Sequence, residues 1–329
     1  MREMIKSKMR NLLVRLLKDN EIILSVYNFF YRCLNTKKFH QEVNRRKQLS
    51  IFDYRALSED LHFCPIERVK DSNFYGQAYS FKNYANVLSV NYAIEHGLYF
   101  DNYIPKASYL STTHQILTMS NVRKEVLSKS LNKEVLTVGP YIHYAQSLLT
   151  ELEYNSLKGT LGKVLLFFPT HTCKDGGESY DLYNTINHVK AIATEKQCDS
   201  VLVCMYYRDI MTTNYAKEYE TVGFKVVTAG HQLDLYFLSR LKTIISLSDY
   251  TISNNVGTHT GYCIYLGKPH YIFQKDLVLG SPYNQFKEIG QAFFEDSDTI
   301  DNYQYQIVSK YWGVDCIKSK DELKKYLSK

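Results

Sequence analysis

Four histidines in this chain stand where chemistry is possible. His171, His231 and His259 each follow an apolar run of β-strand character, and His96 stands beside Glu95 and before Gly97 at the end of a fourth. A neutral imidazole is a competent general base near pH 7, and a histidine facing a phosphate can meet it with a hydrogen bond or a charge. The densest group surrounds His259. Tyr250 to Ser253 has strand character, Asn254 to Gly257 is turn chemistry, and Thr258 to Leu266 carries apolar residues at helical spacing until Gly267 and Pro269 stop it. A strand, a polar turn and a helix point backbone N–H groups and the positive end of a helix dipole into the crevice above a parallel sheet, where phosphate binds. The plainer reading is an ordinary βαβ crossover with Gly257 kept for backbone geometry. Thr258, His259 and Thr260 in the first turn add three side-chain donors and favour the anion site.

Two further strand ends fit the same plan. Lys163 to Pro169 is a continuous apolar run, typical of a strand buried on both faces, and it ends in Thr170-His171-Thr172-Cys173-Lys174 before Gly176 and Gly177. Phe224 to Thr228 closes on Ala229-Gly230-His231. The expected phosphate-binding set is therefore Thr170, His171, Thr172, Lys174, Gly230, His231, Ser253, Asn254, Asn255, Gly257, Thr258, His259 and Thr260. Strands and helices alternate from Lys163 onward at roughly 20 to 25 residues per unit, which predicts a doubly wound parallel sheet with these loops at its carboxyl edge.

The Ser-Asn, Gly-Thr-His-Thr-Gly, apolar helix and Leu-Gly-Lys-Pro succession resembles the donor-binding segment of GT-B glycosyltransferases. It is similar, too, to that of the CDP-glycerol glycerophosphotransferase-like superfamily, and Ile94-Glu95-His96-Gly97 looks like the element that supplies the base there. The resemblance implies an α/β chain of GT-B type, with two Rossmann-like parallel-sheet domains facing a central cleft. Residues 49–155 would form the acceptor side, with Gln115 to Ser120 a strand, Ser120 capping the next helix, and Val135 to Tyr144 a closing strand plus Gly-Pro. Residues 156–329 would bind the nucleotide donor, and Glu151 to Gly162 makes the boundary.

The implied activity is an inverting, metal-independent glycosyl transfer from a nucleotide-sugar to a lipid-linked surface polysaccharide, as in capsule, lipopolysaccharide or O-antigen synthesis. His96, with Glu95 as the alternative, would be the base; the nucleotide-sugar is a substrate, and no cofactor or metal is expected. The paired glutamates that mark many retaining GT-B enzymes are absent after Gly257, which favours inversion. The alternatives are a CDP-glycerol-type polyol-phosphate transferase, a sugar-nucleotide 2-epimerase, and a GT-B nucleotide-binding scaffold without turnover.

Composition narrows the partners. With 329 residues the chain can bury one or two sizeable cores, and its net charge of +6 is concentrated at one end. Residues 1–47 hold twelve Lys or Arg against four Asp or Glu, which leaves the remainder slightly acidic and argues against a nucleic-acid-binding surface. Met4, Ile5, Met9, Leu12, Leu13, Leu16 and Leu17 recur at helical spacing among lysines and arginines, so residues 1–48 are expected to be a basic amphipathic segment lying on an anionic membrane. Ile22 to Tyr31 is too short to span a bilayer, which needs about 20 apolar residues. No cleavable signal peptide is expected, so the chain is placed in the cytoplasm, peripheral on the inner face of the membrane. Seven cysteines without CxxC pairs suit reduced, buried thiols. Asp296 and Asp298 form an Asp-x-Asp pair, which in this context is a cap or a solvated acidic turn rather than a metal site.

Overall fold

Two separate all-parallel sheets emerge in the computed structural model, which describes residues 21–61, 67, 69, 71–105, 108, 113–171 and 180–328. The first sheet is small: β1 (Ala93–Ile94), β2 (Gln115–Thr118) and β3 (Glu134–Thr137) lie side by side in that order. Ile116 is aligned with Ala93 on one side and Val135 on the other. Of the apolar stretch Asn86 to Ala93 that leads to His96, only the end forms a strand. Helix Gln77–Ala85 stops at Asn86 in the left-handed region, and Leu88 stands fully exposed, so the apolar look of Val87-Leu88 is not matched by burial. Ser120 caps helix Asn121–Ser130 by accepting from the Arg123 N–H, as its place before a helix-forming run predicts.

The second sheet holds β4 (Val164–Phe168), β5 (Ser200–Cys204), β6 (Lys225–Val227), β7 (Tyr250–Ser253) and β8 (His270–Ile272) in the order β6-β5-β4-β7-β8. Every residue of β4 and β5 is buried, as the continuous apolar runs require of strands covered on both faces. The chain winds outward one way from β4 to β6 and the other way from β7 to β8. Their carboxyl ends, where Phe168 is aligned with Ser253, therefore form the switch point at which the following loops diverge and leave a crevice.

The halves share a core. One apolar cluster includes Tyr92 and Leu117 of the first half, Leu166 and Ile244 of the second, and Trp312 near the end of helix Asn302–Trp312. Helix Lys320–Leu327 returns to the first half, where Tyr92 Oη donates to the Tyr326 carbonyl, while Trp312 Nε1 donates within the second half to the Thr258 carbonyl. Two sheets of this kind, facing one cleft with the C-terminal helices crossing back, make the GT-B arrangement.

At the other end, helix Glu21–Gln48 is fastened by its last turns. Phe39 and Val43 pack with Leu61, and the buried Arg46 guanidinium donates to the Leu57 and Glu59 carbonyls. Further up the same helix Phe29, Phe30 and Leu34 are exposed. The amphipathic run from Met4 to Leu17 lies outside the described residues. No described helix is long and apolar enough to cross a membrane.

Candidate active site

The loops at the switch point meet the loop after β1 around a cavity of about 420 Å³. From β4 come Phe168 to His171, from β7 Asn255 to His259, and from the loop after β6 Thr228 to Gly230. The first half contributes Tyr75, Gln77 and His96 to Tyr99. His96, Thr170, His171, Gly230, Asn255, Gly257, Thr258 and His259 thus share one cavity.

The β7 loop is built tightly. Asn254 is fully buried, and its Oδ1 accepts from both the N–H and the hydroxyl of Thr170, at 2.7 and 2.8 Å, which ties the β7 loop to the β4 loop. Thr260, also fully buried, turns its hydroxyl back to accept from the Gly257 N–H. Ser253 bonds the Asn255 carbonyl and lies 3.0 Å from His270 Nε2, while Thr251 lies 2.8 Å from His270 Nδ1. These residues position the loop, and Ser253, Asn254 and Thr260 do not line the cavity. Gly257 has extended backbone (φ −153°), so its role is not torsional. A Cβ there would stand 2.5 Å from the His259 ring, which folds back over it and stacks on Phe168 at 4.4 Å between centroids. Thr258 and His259 open helix Thr258–Tyr265, and helix geometry leaves their N–H groups without intrahelical acceptors. Burial, with His171 beside it, pushes His259 down to about 3. Its ring is neutral at pH 7 and meets a ligand as a hydrogen-bonding group, and its Nε2 is buried with no partner.

On the facing wall, His96 is one-third exposed and sits among Phe74, Tyr75 and Tyr99. Asp71 Oδ2 stands 3.5 Å from its Nδ1, and the Tyr99 hydroxyl 2.9 Å from the same nitrogen. A carboxylate behind the imidazole of a base orients the ring and stabilises the cation formed when it takes a proton. Sequence inspection passed over Asp71, because it lies 25 positions away in an unremarkable Lys-Asp-Ser and only the fold brings it to His96. Gln77 was missed for the same reason. Its Nε2 donates to the His96 carbonyl at 2.9 Å.

Several expected site residues are placed elsewhere. Glu95 is buried and does not line the cavity; Arg123 grips its carboxylate at 2.7 Å and Thr118 donates to it, so it has no free oxygen to act as a base. His231 is buried too, with its ring 4.3 Å from Tyr207 and its Nδ1 accepting from Leu233 N–H. Burial and the Arg46 charge lower it to about 4, which makes it a neutral core histidine. Gly230 reaches the cavity but is in the left-handed region (φ +99°) against Arg240, a structural reason for glycine. Thr172 and Lys174 lie outside the described residues. Asp296 and Asp298 both pair with Lys196. No metal-binding cluster occurs among the described residues.

No protein-family model and no curated protein sequence matches this chain. Among solved structures it is similar to the wall teichoic acid polymerase TagF, at 17% identity and a TM-score of 0.37, over 64% of this chain and 55% of that one. It is similar as well to UDP-GlcNAc 2-epimerases. The Neisseria meningitidis protein matches at 14% identity and a TM-score of 0.37, over 68% of this chain and 61% of that one. The Methanocaldococcus jannaschii protein matches at 10% and 0.40, over 77% and 73%. The chain spans little more than half the length of the teichoic acid polymerase it matches.

Proposed function

We propose that this chain is a transferase that moves a sugar from a nucleotide-sugar to an acceptor hydroxyl with inversion and without a metal ion. The observation that carries the reading is that His96, backed by Asp71, shares one cavity with two strand-end loops and the start of a helix. In this reading His96 takes the proton of the acceptor hydroxyl as its oxygen attacks the anomeric carbon. The bond from that carbon to the donor phosphate breaks on the opposite face, and its electron pair leaves with the nucleotide. The leaving phosphate is met by the Thr258 and His259 N–H groups and the helix dipole.

The acceptor is proposed to be a lipid-linked glycan of a surface polysaccharide. The basic segment of residues 1–48, with Phe29, Phe30 and Leu34 exposed, would hold the protein on the anionic inner face of the membrane. Polyol-phosphate transfer from CDP-glycerol would use the same loops, and a silent nucleotide-binding scaffold would use them without turnover. A thermal-shift panel with CMP, CDP, UDP, GDP and their sugar or glycerol conjugates, each with and without EDTA, separates these readings. Saturable stabilisation by a sugar conjugate, unaffected by EDTA and followed by turnover that His96→Ala removes, is the expected result. A response confined to the glycerol conjugate replaces the sugar by a polyol phosphate, binding without turnover leaves the scaffold, and no response overturns the proposal.

A further inference from the structure

Gln77 is only 2% exposed, lines the cavity, and begins helix Gln77–Ala85. Its amide orientation is fixed chemically: the group donating to the His96 carbonyl must be the NH₂ end, so the other end is oxygen. That Oε1 is buried and has no hydrogen-bond partner. A buried amide oxygen left unpaired is unfavourable, and such groups in native folds call for a reason.

The backbone cannot relieve it by moving. Gly76 is in the left-handed region (φ +65°), and a Cβ there would stand 2.2 Å from the Leu235 carbonyl oxygen. Tyr75 N–H donates to the Gln232 carbonyl at 2.6 Å, and Ser80 donates to the Gly76 carbonyl. The start of the helix is clamped against the second half.

We infer that Gln77 is a specificity-determining residue that accepts a hydrogen bond from a hydroxyl of a neutral polyhydroxyl group, a sugar or polyol, bound beside His96. This rests on the transferase reading for the identity of the site. An amide oxygen only accepts, so it selects O–H or N–H and disfavours a phosphate oxygen. The surrounding wall agrees, because Tyr75, Tyr99 and Phe237 offer aromatic faces suited to the C–H face of a sugar, and no lysine or arginine lines the described cavity. The cavity is thereby polarised, with hydroxyls directed to Gln77 and His96 and phosphate to the N–H groups of Thr258 and His259.

Two variants of the full chain separate this role from a structural one. Gln77→Met and Gln77→Glu both remove the donor to the His96 carbonyl, and only Gln77→Glu keeps an acceptor oxygen. Saturation-transfer NMR with methyl glucoside, methyl N-acetylglucosaminide and glycerol measures the hydroxyl end, and titration with nucleoside diphosphates measures the other. In the expected result Gln77→Met weakens polyol binding tenfold or more, Gln77→Glu retains it within a fewfold, and nucleotide affinity stays within twofold in both, with unchanged circular dichroism. Equal loss in both variants, loss of nucleotide and polyol together, or no polyol binding by the parent chain overturns the inference. Failure of the transferase reading shows separately, as absence of nucleotide binding by the parent chain.

Discussion

Replacing His231 by Asn tests whether that histidine belongs to the fold or to the site. Asn offers an oxygen near the place of Nδ1, so the bond from Leu233 N–H has a replacement acceptor while the titrating group is removed. His231 is held at about 4 in the folded protein against about 6.5 when unfolded, through burial first and the Arg46 charge second. The unfolded chain therefore binds the extra proton, and stability rises with pH through this window. The contribution is fully present above about pH 6.5 and is lost as the pH falls towards 4. One pKa unit corresponds to about 1.4 kcal/mol, so this residue alone withdraws about 2 kcal/mol by pH 5 and about 3 kcal/mol in all. Urea unfolding followed by fluorescence of Trp312, the chain's single tryptophan and one buried where the halves meet, measures it between pH 8 and 5. Lost packing on Tyr207 lowers the variant's stability by a constant amount at every pH. The gap between the two proteins should then close by about 2 kcal/mol on going from pH 8 to 5. Parallel curves would refute the argument, and loss of nucleotide binding at pH 8 with an intact fold would return His231 to the site.

Glu95→Gln, which leaves Arg123 buried without its counter-charge, should lower unfolding free energy by about 3 kcal/mol in urea titration, yet leave the thermal response to nucleotide in place. Gly257→Ala drives a methyl group into the His259 ring and should weaken nucleotide binding about tenfold by calorimetry without changing the circular dichroism. Asp71→Asn keeps the shape behind His96 but removes the charge; turnover should fall by on the order of a hundredfold at unchanged nucleotide affinity. Thr258→Val removes the acceptor for Leu98 N–H, and steady-state kinetics should show turnover reduced about fivefold with the melting temperature little altered.

The second half was legible because its signals are local. The apolar runs Lys163 to Pro169, Phe224 to Thr228 and Tyr250 to Ser253 hold β4, β6 and β7, and the polar loops after β4 and β7 converge as their positions at strand ends imply. The first half was harder, since its sheet has only short strands and much of its order comes from contacts distant in the chain. Glu95 shows the limit: an acidic residue beside a candidate base looks catalytic until Arg123, 28 positions on, is found holding it. His231 shows another, because a histidine after a strand has the same sequence signature in a core as in a crevice. Burial decides between them, and burial depends on what Tyr207 and helix Glu21–Gln48 bring to that place.

The same non-local contacts explain how the two halves could act as one site. The loop after His96 is tied to the second half at three points. Leu98 N–H donates to the Thr258 hydroxyl, Asp101 accepts from the N–H groups of Asn284 and Gln285 at the start of helix Asn284–Gln291, and Phe100 packs edge-on against Phe286. Thr258 also offers its N–H at the start of the helix that faces the cavity. A ligand anchored there therefore presses on a residue that already holds the backbone two positions after His96. Neither half positions that histidine alone: Asp71 and Gln77 fix it from the first, and Thr258 fixes its loop from the second. Separating the halves would lose the cavity and the setting of His96 together, so the cavity belongs to the cleft rather than to either sheet.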